Sequence, residues 1–146
     1  MSLVPYRGKF AIRYIPKTAS TAFTEGDMVT VLNSAAGVGT LALATSSSPS
    51  VLGIIKKTIA STDSDFASTT KVPVQVAANL TAEWKALTSA NGGQTEVGQF
   101  VDVVDEDTLD GAAAYTYGVA FVTEYVDSTH LIVRLSEKEG TAVTTA

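Results

Sequence analysis

The residues that could carry chemistry are few, and their spacing excludes most of it. The densest group is Asp105-Glu106-Asp107-Thr108-Leu109-Asp110-Gly111. Carboxylates alternating in a tight turn are what a divalent cation needs. Here the glycine comes one residue late for a calcium loop, and Thr116 stands where the closing glutamate belongs. We read the run as a solvated acidic turn and keep Asp105, Asp107 and Asp110 as a candidate metal set. There is no cysteine, hence no disulfide, thiolate nucleophile or Cys-based metal site, and one histidine cannot build a multi-His centre. That residue, His130, opens a predicted strand beside a turn, a place for an exposed side chain rather than a base. Gly37-Val38-Gly39-Thr40-Leu41-Ala42 lacks the third glycine of a dinucleotide fingerprint, and neither a Walker loop nor a Gly-x-Ser-x-Gly elbow occurs. Asn79-Leu80-Thr81 matches a glycosylation sequon, which we read as chance. Trp84, Tyr14, Tyr115, Tyr117 and Tyr125 could stack on a sugar, but they are spread over distant segments and suit a core or an interface better. No spaced acid pair stands out for general acid–base work. The expectation is a protein that is not an enzyme and uses no cofactor.

The elements that must position these residues follow from composition. The 146 residues are 45% hydrophobic and only 17% charged, with mean hydropathy +0.21. A chain of this mass folds to about 7,000 Å² of surface from about 22,000 Å² unfolded, which suits one domain or two small lobes sharing a core. No apolar run approaches the roughly 20 residues of a membrane helix. Met1 to Arg7 contains no apolar signal core, so a cytosolic site of synthesis is expected. Val and Thr are abundant while Leu, Lys and Glu are scarce, a β composition. High apolar content with few charges fits an oligomer or assembly component.

Charge is distributed unevenly around the net −5. Arg7, Lys9, Arg13 and Lys17 precede the first acid. No Lys or Arg lies between Lys85 and Arg134, where Glu96, Asp102, Asp105, Glu106, Asp107, Asp110, Glu124 and Asp127 fall. An acidic body repels phosphate, so nucleic acid is not an expected partner. The basic leading segment either serves solubility or reaches an acidic neighbour.

Strands are predicted at 10–15, 27–32, 39–44, 51–60, 71–76 and 97–104, with a hairpin formed by 115–126 and 130–135. Lys56-Lys57 is read as protection of an edge. Pro73 cannot donate to a ladder and predicts an edge strand or a bulge. Leu80 to Thr88 is the one helical candidate: Asn79 could cap it, and Leu80, Trp84 and Leu87 share a face. Small-residue turns are expected at 33–39 and 89–94, a mobile polar loop at 61–70, and a loose tail at 137–146. Residues 1–9 are read as an extended arm and 10–136 as one β-rich domain.

Within that domain an order recurs. Thr24-Glu25-Gly26-Asp27-Met28-Val29-Thr30-Val31 is echoed by Thr95-Glu96-Val97-Gly98-Gln99-Phe100-Val101-Asp102-Val103. Each is followed by a glycine-led apolar strand, Gly53-Ile54-Ile55 or Gly118-Val119-Ala120-Phe121. An alternating strand comes next, Val72-x-Val74-x-Val76 or Leu131-x-Val133-x-Leu135. Either Val-rich strands coincide by chance, or two β-units, about 24–76 and 95–135, pack into one barrel or sandwich.

Glu25-Gly26-Asp27-Met28-Val29-Thr30-Val31, Val51-Leu52-Gly53-Ile54-Ile55, Val97-Gly98-Gln99-Phe100-Val101-Asp102-Val103, Gly118-Val119-Ala120-Phe121-Val122 and His130-Leu131-Ile132-Val133-Arg134-Leu135 together resemble the head decoration, or cement, proteins of tailed bacteriophages. The resemblance spans roughly residues 24 to 135 and implies a compact β-barrel or β-sandwich-like fold of the β-tulip type with at most one short helix. It also implies a homotrimer on the outer surface of the virion that binds the major capsid protein and bridges capsomers. An arm could add a strand to a capsid sheet, many weak contacts acting together. Leu3, Val4, Tyr6, Arg7 and Phe10 are the expected shell contacts, Arg7 pairing with a carboxylate; the alternative puts Phe10 in the core. A tail or fibre subunit, or a carbohydrate-binding module using Trp84, are the rival functions.

Overall fold

Apolar alternation decides where the strands fall. The computed structural model describes residues 2–32, 39–79, 81–89, 94–111 and 115–136. Its strands are β1 (Leu3–Arg7), β2 (Phe10–Pro16), β3 (Met28–Val31), β4 (Leu41–Leu43), β5 (Gly53–Ile55), β6 (Lys71–Ala77), β7 (Glu83–Leu87), β8 (Phe100–Val101), β9 (Ala120–Asp127) and β10 (His130–Leu135). A single 3-10 turn, Gln94–Glu96, is the only helical element among the described residues. Two antiparallel sheets form, ordered β1-β7-β10-β9-β8 and β2-β6-β5-β3-β4. They remain open and pack as a sandwich rather than closing into a barrel. The expected turn at 33–39 lies outside the described residues except for Gly39, as do Leu80, the middle of the turn at 89–94 and the tail at 137–146.

Where a helix was expected over Leu80 to Thr88, residues Glu83–Leu87 form a strand. Ala82, Trp84, Ala86 and Thr88 are all buried, a period of two that the helical reading of Leu80, Trp84 and Leu87 overlooked. β7 is paired on both sides, with β1 and with β10, and that tertiary setting overrides a weak helical pattern. Pro73 does not mark an edge either, because β6 lies between β2 and β5. The Pro73 carbonyl accepts from Lys56 N–H at 2.9 Å, so its ring nitrogen faces the same side, just past the last β5 pair at Ile55 and Val74. No donor is needed there.

Residues 3–16 pair with residues 71–86 as one antiparallel ribbon that leaves one sheet and enters the other. The corner is Gly8, at φ +100, where a Cβ would sit 2.7 Å from Ala82 Cα. Only glycine tolerates both the backbone conformation and the contact. Strands that change sheets at such corners hold the two layers together.

The segments that echo in sequence occupy matching places. Thr24–Asp27 and Glu96–Gln99 each form a turn closed by an N–H to carbonyl bond of 3.0 Å, with Gly26 (φ +98) and Gly98 (φ +87) third. Gly26 N–H donates to Ile55 and Gly98 N–H to Val122, both at 2.8 Å; Ile55 and Val122 donate back to Asp27 and Gln99. Met28 faces Ile54 as Phe100 faces Phe121. The match extends to strands that the echo did not include. β2 flanks β6 as β7 flanks β10, and the ends of β2 and β7 make parallel bridges, Lys17 with Leu41 and Thr88 with Leu109.

Each half has its own core. Ile15, Phe23, Val29, Leu41, Ile55, Ile59, Val72 and Val74 fill the first. Trp84, Ala86, Val101, Leu109, Val122, Leu131 and Val133 fill the second, joined by Leu3 and by Met28 and Ile54 of the other sheet. The difference lies in the last connection. β5 to β6 runs over residues 56–70, whose Phe66 covers the first core, whereas β9 to β10 is the short hairpin at Ser128 and Thr129. The second core is covered by β3 and β5 instead. The loop at 61–70 lies at the surface as expected, with Phe66 packed on the first core. Asp63 accepts from Ala60 N–H, and the buried Lys17 ammonium donates to the carbonyls of Phe66 (2.7 Å) and Ser68 (2.6 Å). Lys56 and Lys57 leave β5 to pair with Glu25 and Asp65 rather than guarding an edge.

Candidate interaction surface on the β1–β2 ribbon

The expected arm residues separate once the ribbon forms. Leu3 is fully buried in the second core, so it cannot contact a shell. Ser2 anchors the start of the chain: its hydroxyl donates to Gly26 O at 2.6 Å and its carbonyl accepts from Leu87 N–H. A free arm over residues 1–9 is thus corrected to an edge strand for residues 3–7, because Leu3 gains more from the core than from solvent. Phe10 packs edge-on against Trp84, ring centroids 4.7 Å apart, as the core alternative had it. Arg7 binds carboxylates of its own chain, Glu83 at 3.2 Å and Glu124. Thr123 donates to the other Glu83 oxygen, so the site expected to seek an external acid is already engaged.

Val4 and Tyr6 do face solvent, at 42% and 48% exposure. Ile12 and Tyr14 of β2 are exposed as well, and neither was among the expected contacts. Sequence alternation could not find them, since β2 reads as a half-buried strand and its edge position is set by distant pairing. Lys9 and Arg13 are exposed too, Arg13 on the opposite face of β2 from Ile12 and Tyr14, and among the described residues neither makes an ion pair.

The acidic turn is held by its own backbone. One Asp105 oxygen accepts from the N–H groups of Asp107 and Thr108 and from the Thr108 hydroxyl, at 2.8–2.9 Å. Partial burial favours the neutral acid, but these bonds outweigh it and hold Asp105 below the usual carboxylate range. Among the described residues no three His, Asp or Glu side chains converge for a metal, so Asp105, Asp107 and Asp110 are not brought together as a site.

Asp102, not singled out in the sequence, receives three successive N–H groups. Tyr117 (3.0 Å) and Gly118 (2.7 Å) donate to one oxygen and Thr116 to the other. This fixes the approach to β9 and positions a surface trio. Phe100 stands 5.5 Å from Tyr115 and 5.2 Å from Phe121, over which the Arg134 guanidinium lies at 5.5 Å. Trp84 is fully buried and belongs to the core rather than to a sugar platform. His130 Nδ1 lies 3.0 Å from Asp127 Oδ1 in the hairpin turn. The Thr129 N–H, with His130 and the Thr129 hydroxyl, holds Asp127 at about 2.

No known family matches the sequence. No curated protein is detectably similar to it.

Proposed function

We propose that this protein is a structural virion subunit that binds the outer surface of a tailed-phage capsid and braces neighbouring capsomers. The observation carrying the reading is the exposed apolar side chains of the first two strands, Val4 and Tyr6 on β1 and Ile12 and Tyr14 on β2, with Lys9 and Arg13 exposed on the same ribbon, on a chain of net charge −5. Exposed apolar groups with positive charge on the same ribbon suit docking onto an acidic shell, and repetition over many copies makes modest contacts sufficient. The major capsid protein is the proposed partner and a homotrimer the proposed assembly, placed on the virion after synthesis in the host cytoplasm. The work is mechanical, with no catalytic step and no cofactor. Cosedimentation with mature and unexpanded phage heads tests it. Preferential binding to mature heads is expected, weakened in a Tyr6→Ser, Tyr14→Ser double variant; absence of binding to either form would remove the proposal.

A second reading, a ligand-binding module, is favoured by the trio Phe100, Tyr115 and Phe121, which offers ring faces at the surface. Glycan binding lost on Tyr115→Ala would select it over the first.

A further inference from the structure

We infer that the outer edge of β2 is a docking strand for an extended acidic segment of a partner polypeptide, added antiparallel as a further strand. The two halves of the molecule supply the argument. β2 flanks β6 as β7 flanks β10, with Arg13 and Trp84 in matching register positions. Across β7 the open side is filled: Leu3 pairs with Ala86, Val4 with Lys85 and Pro5 with Trp84. Leu87 N–H donates to Ser2, so the polar groups of Glu83, Lys85 and Leu87 face β1. Across β2 the matching side is empty among the described residues, because β2 pairs with β6 alone.

The direction of the free groups is fixed by the ladder. Lys9 O accepts from Ala78 N–H and Lys17 N–H donates to Thr70 O, and the register between them runs without a shift. Odd-numbered residues of β2 therefore bond to β6, and Phe10, Ile12 and Tyr14 turn their N–H and C=O groups outward. Ile12 is 48% and Tyr14 65% exposed. Such an edge is a template for strand addition.

Charge selects the occupant. Arg13 lies in the middle of the edge, with Lys9 before it and Lys71 opposite its far end. Residues 2–23 and 66–82 contain no acid. Among the described residues none of these three cations makes an ion pair. A second copy of β2 would bring the same charges to the same edge, whereas a strand with a carboxylate opposite Arg13 meets it in a non-hydrogen-bonded pair, where side chains lie closest. The recognised pattern is apolar, acidic, apolar, acidic, apolar. This inference does not depend on the capsid reading: a strand can dock whether or not phage heads are its source.

The test uses the full-length protein and the capped heptapeptide Thr-Val-Glu-Val-Asp-Val-Thr, followed by amide hydrogen exchange. Binding is expected to protect the N–H groups of Phe10, Ile12 and Tyr14 while leaving Ala11, Arg13 and Ile15, already in the β6 ladder, unchanged. Ile12→Pro removes one outward N–H without touching that ladder and should abolish protection. Arg13→Glu, which leaves the backbone intact, should weaken binding about tenfold or more. The same peptide with lysine in place of its acids should not bind. Absence of peptide binding, or binding indifferent to Arg13→Glu, would overturn the inference. So would concentration-dependent protection of these three amides in the free protein, which would assign the edge to a second copy. Peptide docking by a protein that ignores phage heads would keep the inference and discard the capsid reading.

Discussion

Asp102 is one of 15 acidic residues, and nothing in its neighbours marks it, yet it holds three backbone N–H groups in place. Asp102→Ala should destabilise the fold by about 2 kcal/mol, because the donors lose their acceptor, and urea unfolding would measure it. Asp127 gives a pH signature. Its carboxyl is depressed to about 2 from 3.8, so its contribution to stability is complete above the unfolded value and is lost as pH falls through about 2. Carboxyl NMR should place its midpoint near 2, moving toward 3.8 in His130→Ala. Asp27 goes the other way. Burial raises it against the Thr24 N–H bond, with Asp107 and Glu106 adding repulsion. A raised carboxyl makes the fold gain stability as pH falls through the folded value, so the ionised form is a liability at neutral pH. Asp27→Asn keeps an acceptor for Thr24 and should raise Tm at pH 7, the advantage fading by about pH 4.

Elements were legible where alternation is strict and obscure where it is mixed. Val72, Val74 and Val76 marked β6, and β10 was expected at its observed bounds, while β9 begins at Ala120, five residues after the expected start. β7 was missed because Leu80, Trp84 and Leu87 also satisfy helical spacing, and only pairing on both sides decides between the periods. Trp84→Ala should cost about 3–5 kcal/mol, since its ring fills the second core against Phe10, and calorimetry would register it as a large fall in Tm. At the corner of the ribbon, Gly8→Ala should cost roughly 1–3 kcal/mol through positive φ and the clash with Ala82.

At the scale of the whole molecule, the first strand belongs to the body. Deleting residues 2–9 removes Leu3 from the core and uncovers the edge of β7, so loss of cooperative unfolding is expected in calorimetry. Any loss of partner binding in that deletion would report misfolding; substitution at Tyr6 and Tyr14 isolates the surface. The candidate site was legible in part: Val4 and Tyr6 are exposed as expected, while Leu3, Phe10 and Arg7 are taken up by the protein itself.

Composition and alternation alone determined a β-dominated chain with at most one short helix, because branched side chains and period-two patterning are local properties of the strand. The glycine turn that begins β3 was equally local, whereas the one at Gly98 that begins β8 lay inside an expected strand over 97–104. Which strands became edges, which apolar residues were left in solvent and which acids found backbone donors were decided by pairing between segments far apart in the chain. A seven-residue strand reads the same at the centre of a sheet as at its rim, and only the neighbour across the hydrogen bonds distinguishes the two.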